Sequence, residues 1–482
     1  MTGLNQDKSP ADSEGTKKIE TKSSNDFVTP SILLFLDNLL VSIGGWIYWL
    51  VISKLTLPSE IGLAVTVYSL VTLITTLTQL GLEYPLLKKS NVLGSRILGT
   101  SLIIELGITL ASIPFVLIVL NTLYDESIKQ FTWISIALLI LLSLEFVIRF
   151  GLLGISNSRI VLIIDLIGLG IKLPVGFFLV YISFGALGML LAYLLEGLFV
   201  IFTSLYFVKK SFSFRLGNNE YFKETIKDSL INTPAKWSKM IIVTLSIVLL
   251  AFMNISTSDV GIFYVALMIT IVAASFASSM AYMVIPSSSN LKTDLSSGSL
   301  RISLSLTAPI VVALLVVPGS ILSLIRSEYE SAEAVLLVLA LSIIPSSITV
   351  NMISKLNNLG KSRILILTGT VQIATFFLCF FVLVPIYETM GAAISILVAY
   401  LSSSLLLIIL TDHRSFRYII SACLSVLAGI IVGYMINLIV GYQQQFLIMI
   451  FSVVVSIVVI FASRNMTITE TKFLLKAMLQ RK

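Results

Sequence analysis

Glu60-Ile61-Gly62 recurs as Asp259-Val260-Gly261, 199 residues further on, and the echo continues along the chain. Ser158-Arg159-Ile160 returns as Ser362-Arg363-Ile364, Gly185-Ala186 as Gly391-Ala392, and Ala192-Tyr193 as Ala399-Tyr400. The offset drifts only from 199 to 207. Each short match is weak alone, but four in order at a nearly constant offset mark an internal duplication.

The duplicated unit is written in membrane-spanning sequence. Mean hydropathy is +1.01, with 57% hydrophobic and 12% charged residues, whereas soluble globular proteins carry about 25% charged residues. Apolar stretches of roughly 20 residues, the length that crosses the hydrocarbon core, fall at 31–53, 62–81, 97–120, 132–152, 160–182 and 185–207. They continue at 237–255, 261–285, 302–325, 333–353, 364–386, 391–411, 418–440 and 446–463. The expected fold is therefore an all-α polytopic membrane protein with about fourteen transmembrane helices. Six spans per repeat return each half to its starting side. The halves, 31–207 and 237–411, are thus expected as parallel six-helix bundles related by an axis along the membrane normal, a plan used by alternating-access carriers. Residues 1–30 are expected as a disordered cytoplasmic tail, 208–236 as a cytoplasmic linker, 412–463 as helices 13 and 14, and 464–482 as a second cytoplasmic tail.

With residue 1 in the cytoplasm, all but four of the 32 Lys and Arg fall in cytoplasmic loops, tails or the adjoining span ends, as the positive-inside rule requires. Lys54, Lys129 and Arg326 face outside, and Lys172 lies in mid-membrane. The net charge of +7 reflects this topology and gives no reason to expect nucleic-acid binding. Cys379 and Cys423 lie within spans and His413 is the single histidine, so the usual ligands of a zinc or iron site are lacking and no cofactor is expected. Leu359-Gly360-Lys361-Ser362 resembles the end of a phosphate-binding loop, but Lys355 stands where its first glycine belongs and no strand precedes it, so no ATPase is expected. No loop is long enough to hold a catalytic domain, and an enzyme is not expected.

Charges within spans cost about 2.5–3.5 kcal/mol each at a helix centre, so each is a functional candidate. Here they are confined to the first bundle: Asp37, Glu105, Glu145, Arg149, Asp165, Lys172 and Glu196. The second bundle carries neutral polar groups such as Asn351 and Gln372. Glu145 and Arg149, four apart on one helix, are placed to form an ion pair. Asp165 and Lys172, seven apart, share a helix face roughly 10 Å apart. Lys172 reads either as the partner of Glu105 or Glu196, or as a contact for a substrate phosphate. Gly168, Gly170, Pro174 and Gly176 make the fifth span the candidate for a bend. The linker, with Lys209, Lys210, Arg215, Lys223 and Lys227 among aromatic residues, reads equally as an amphipathic surface helix or a solvated basic segment.

Pro58-Ser59-Glu60-Ile61-Gly62 after the first span, Gly81-Leu82-Glu83-Tyr84-Pro85 after the second, and the turn Asn358-Leu359-Gly360-Lys361-Ser362-Arg363 resemble the polysaccharide flippases. These are the O-antigen and oligosaccharide-lipid transporters of the multidrug/oligosaccharidyl-lipid/polysaccharide superfamily. The resemblance implies a V-shaped pair of MATE-like bundles in the cell membrane, both termini cytoplasmic, moving a polyprenol-linked glycan between leaflets. Membrane lipids and the glycan-assembly machinery would be its surroundings, and a monomer its working form. The headgroup candidates are Lys172, Arg149 and two repeat-equivalent basic pairs, Lys88 with Lys292 and Arg96 with Arg301, 204 and 205 residues apart. An acid in the first span resembles the ion site of the superfamily's drug-exporting branch. Asp37, with Glu105, Glu145, Asp165 and Glu196, is accordingly the candidate set for proton or sodium coupling. One feature departs from a pyrophosphate carrier: the span interiors hold five acids and two bases. A cation-coupled exporter of drugs or metabolites in the same superfamily is the main alternative, and a non-transporting scaffold the lesser one.

Overall fold

A segment within lipid must satisfy its own peptide groups, which leaves only helices and closed barrels. The computed structural model describes residues 33, 36–37, 39–83, 85–87, 90, 95–154, 158–211, 219–288, 296–359, 361–411, 416–440, 444–463 and 465, and among these there are helices and no strand. The long helices are α1 (Leu39–Leu55), α2 (Pro58–Thr78), α3 (Ser95–Leu123), α4 (Thr132–Gly154), α5 (Ser158–Tyr181), α6 (Gly185–Ser211) and α7 (Asn219–Phe252). They continue as α8 (Thr257–Ser288), α9 (Ser296–Val316), α10 (Glu333–Asn358), α11 (Ser362–Thr411), α12 (Phe416–Val440) and α13 (Gln445–Ala462).

Among the described residues eleven helices are long and apolar enough to cross a membrane, while Leu39–Leu55 and Ile242–Phe252 are shorter apolar helices. Two expected boundaries look different in the structure. Residues 219–236, expected as linker, form the first half of α7, a single helix that runs on to Phe252. The expected break between spans at 387–390 is so tight that α11 continues across it, with only Glu388 (φ 47°, ψ −124°) departing from helical geometry. Gly391 permits this turn, because a β-carbon there would stand 2.5 Å from the Leu383 carbonyl oxygen. The repeat-equivalent Gly185 has φ +51° and opens α6. Its neighbour Ala186 donates its backbone N–H to Glu60 Oε2 at 2.7 Å, so an acid at the start of α2 caps α6.

α2 is the most enclosed span, with 78% of its apolar window buried against 22% for α13. It packs on α4 and α6 from its own half and on α7 and α8 from the other. Within the second half α8, α9 and α10 pack on one another, and α11 packs on α10 and α7. Neutral hydrogen bonds tie these helices together. Ser299 Oγ donates to Asn351 Oδ1 at 2.7 Å, Asn351 Nδ2 donates to Ser303 Oγ at 3.1 Å, and the Thr349 and Ser403 hydroxyls are 3.0 Å apart. α12 and α13 form a hairpin against α9. Ser425 and Ser456 hydrogen bond across it at 2.7 Å, and Gly429 and Gly433 leave no room for a β-carbon beside Val312 and Val316. Such small residues let helix backbones approach closely in a bilayer.

Asn351→Val should remove the α9–α10 hydrogen bonds and destabilise the protein by about 1 kcal/mol, the scale of interhelical polar contacts in membranes. Adding Ser303→Ala should then cost little more, because the two residues share one bond. Unfolding in mixed micelles would measure both.

Candidate functional site

Six of the seven span-interior charges of the first half gather on α4, α5, α6 and the segment before α1. Arg149, on α4, reaches two carboxylates: its Nη2 lies 2.7 Å from Asp37 Oδ2 and 2.7 Å from Asp165 Oδ2, and its Nε donates to Asp165 Oδ2 at 3.0 Å. The expected i,i+4 pair with Glu145 is not the one formed. A guanidinium presents a planar fork of donors, and here the fork joins the segment before α1 to α4 and α5. Asp37 is 3% exposed, and its Oδ1 has no hydrogen-bond partner among the described residues.

The second group forms around Lys172, which is 5% exposed on α5. Its Nζ lies 2.8 Å from Glu196 Oε2 on α6, 4.5 Å from the Tyr193 ring centroid and 5.6 Å from that of Tyr48. An ammonium over a tyrosine face is attracted by the ring quadrupole, so this cation has a carboxylate and two rings as neighbours. Tyr48 also donates its hydroxyl to the Met189 carbonyl at 3.1 Å. α5 is one helix through Pro174, and two of its glycines, Gly168 and Gly176, sit where a neighbouring helix packs closely, while Gly170 faces open space. A β-carbon on Gly168 would stand 3.5 Å from Glu196 Cγ, and one on Gly176 would stand 2.5 Å from the Tyr48 ring. Glu196 thus lies against α5 between Asp165 and Lys172. Glu145, half-buried, lies beside Gly197, whose β-carbon position is 3.5 Å from Glu145 Oε2. The two groups form one polar track from Asp37 to Tyr193.

Glu105 stands apart, 1% exposed. It accepts hydrogen bonds from Thr78 at 3.1 Å and Thr109 at 3.4 Å, and Thr109 also donates to Ser143 at 2.9 Å. Glu105 therefore belongs to a hydroxyl network between α2, α3 and α4. Arg96 is exposed near the start of α3, and Arg301 is half-buried near the start of α9. Lys88 and Lys292 lie outside the described residues.

One feature of the site escaped the sequence reading. Five aromatic residues on α1, α2, α6 and α8 form a continuous seam between the halves. Tyr68 lies over Tyr193 with centroids 4.3 Å apart, Tyr48 meets Tyr193 edge-on at 5.4 Å, and Trp49 meets Tyr264 of the second half edge-on at 4.9 Å. Beside them a crevice about the size of a water molecule is lined by Trp46, Trp49, Leu50, Ser53, Val265, Met268 and Ile325. Only Tyr193 carried a signal, as part of the repeated Ala-Tyr pair.

Arg149→Gln should leave two buried carboxylates facing each other and cost about 3–5 kcal/mol, the usual penalty for breaking a buried pair by removing one partner. Adding Asp165→Asn should recover most of the loss. Thermal unfolding of the purified variants would check the sign of both changes.

No family model and no curated protein matches the sequence. Solved structures share its fold. The lipid II flippase MurJ in an inward closed conformation superposes with a TM-score of 0.72 at 14% identity, covering 92% of this chain and 100% of that one. An inward-facing multidrug resistance MATE family transporter of the MOP superfamily gives 0.60 at 14% identity, covering 80% and 98%. The MATE multidrug transporter DinF-BH gives 0.58 at 14% identity, covering 81% and 96%. The chain is a multi-pass helical membrane protein with the fold shared by these flippases and transporters.

Proposed function

We propose that this chain is an alternating-access flippase that carries a polyprenol-linked oligosaccharide or polysaccharide repeat unit across the cytoplasmic membrane. In this reading the apolar helices make fourteen spans with both termini cytoplasmic, α11 counting twice and α1 and α7 once each. The observation that carries it is the extent of the fold match. The flippase covers 92% of this chain and the MATE transporter 80%, a difference about the size of the segment that holds α12 and α13. Lys172 and Arg149 are the headgroup contacts, helped at the cytoplasmic mouth by Lys88, Lys292, Arg96 and Arg301. Asp37, Glu145, Asp165 and Glu196 couple transport to a proton or sodium gradient, with Glu105 a separate buried acid in the hydroxyl network of α2, α3 and α4.

One observation favours the second reading, a cation-coupled drug or metabolite antiporter. Both span-interior bases are already bonded to carboxylates, and acids outnumber bases five to two, an interior better suited to positive charge.

Reconstitution into proteoliposomes with a short-chain polyprenyl-linked oligosaccharide separates the two. The flippase reading expects protein-dependent movement between leaflets, at least a tenfold slower rate in Lys172→Ala, and loss of the gradient response in Asp37→Asn. Gradient-driven efflux of cationic dyes, with no movement of the lipid-linked sugar, would establish the antiporter instead.

A further inference from the structure

Of the two ionic groups, the one around Lys172 is the more easily undone. Arg149 holds Asp37 and Asp165 at 2.7 to 3.0 Å through Nη2 and Nε, whereas Lys172 Nζ meets one carboxylate, Glu196, at 2.8 Å. The two partners are unevenly covered, since the Lys172 side chain is 7% exposed and that of Glu196 17%. The ammonium does not depend on the acid for its position. The Tyr193 and Tyr48 rings lie 4.5 and 5.6 Å from it, and Tyr48 is itself held by its hydrogen bond to the Met189 carbonyl. A cation attracted by two rings keeps its place when the carboxylate withdraws, leaving room for one anionic oxygen group beside it. A headgroup phosphate reaches this buried ammonium by taking that room, and Glu196 must give it up.

Glu196 can give it up only without its charge. The titratable groups facing it are Lys172 and Asp165 on α5, Glu145 on α4, Tyr68 on α2 and Tyr48 on α1, with Tyr193 beside it on α6. A carboxylate released from Lys172 would be repelled by Asp165 and Glu145, and a buried charge without a partner is neutralised instead. A carboxylic acid, by contrast, has an O–H to donate to those same carboxylates. Gly168, whose β-carbon would touch Glu196 Cγ at 3.5 Å and Oε1 at 3.8 Å, leaves the face of α5 bare beside it on the side of Asp165. Charge then balances. A phosphodiester brings one negative charge, a proton from bulk water cancels that of Glu196, and the interior carries the same total before and after.

We infer that Glu196 is an internal stand-in for the phosphate of the substrate: a singly charged headgroup phosphodiester exchanges with it on the Lys172 ammonium, and Glu196 takes up one proton as it leaves. This rests on the flippase reading proposed above and deepens it, because it shows how an interior with more acids than bases accepts an anion. Since Glu196 is ionised in the free protein and protonated in the complex, binding is tightest at acid pH and weakens as pH rises.

Titration calorimetry in nanodiscs tests this, using a short-chain polyprenyl phosphate sugar whose phosphodiester keeps one charge across the neutral range. Buffers of different ionisation enthalpy count the protons. The wild-type protein should take up about one proton per headgroup bound, with Kd rising by up to about tenfold per pH unit. Glu196→Gln, which keeps the shape and a weaker contact to Lys172, should bind at least tenfold more tightly at the alkaline end and take up no proton. Unchanged proton uptake in Glu196→Gln would overturn the exchange. So would wild-type binding with no proton taken up, a count that decides alone should the variant fail to fold, and that result would leave the flippase reading standing. Absence of binding at every pH, in wild type and variant alike, would refute both.

Discussion

Two helices that meet backbone to backbone have no side chains between them to absorb an error in position. The contact of Gly62 on α2 with Gly261 on α8, where a β-carbon on Gly62 would stand 1.7 Å from the Thr257 carbonyl oxygen, sets the geometry around it in that way. It fixes the start of α2, the most enclosed of the eleven long apolar helices among the described residues. From there the consequences run along the helix. Glu60 reaches the first turn of α6, and Tyr68, less than two turns beyond Gly62, is laid over Tyr193. Tyr193 in turn faces the ammonium of Lys172. The register of one crossing thus reaches the centre of the charged interior through a chain of direct contacts.

That interior obeys the other constraint of a protein dissolved in lipid, that charge removed from water must find charge or hydrogen bonds nearby. Arg149 answers for Asp37 and Asp165, and Lys172 for Glu196. The arrangement also does mechanical work. The guanidinium joins three segments distant in sequence, and the ammonium joins α5 to α6. The second half reaches cohesion by other means, with hydroxyls and one carboxamide bridging α9 to α10 and α10 to α11. Among the described residues, ion pairs thus join helices in the interior of the first copy of the repeat, and neutral hydrogen bonds join α9, α10 and α11 in the second.

Much of this could be read from the chain, because period, hydropathy and charge are local properties. The duplication, the helical class and the confinement of charge to the first half needed no knowledge of contacts. What pairs with what was hidden. Glu145 is the neighbour of Arg149 by helical spacing, yet Asp37, 112 residues away, takes its place, since spacing describes one helix and says nothing about the helix laid across it. The glycines of α5 show the same limit. Only the positions of Glu196 and Tyr48 reveal that Gly168 and Gly176 make room for neighbouring side chains. The break at 387–390 was legible as a gap between two apolar stretches, but not that Glu388 alone would carry its non-helical geometry. Gly62 and Gly261 were visible as a repeated motif, but a repeat does not say that its copies face each other.

α7 has a bearing beyond the interior. It is a single helix of 34 residues, about 50 Å long at the usual rise. At one end Ile226 packs beside Leu82, Leu86 and Phe146, and near the other the Val248 carbonyl accepts the Tyr124 hydroxyl. Pro234, near its middle, brings no N–H to the helical ladder, so the two stretches of α7 meet at a weakened turn. The basic stretch between the repeats, outwardly a tether, is therefore the continuation of an apolar helix, joined to it through a proline.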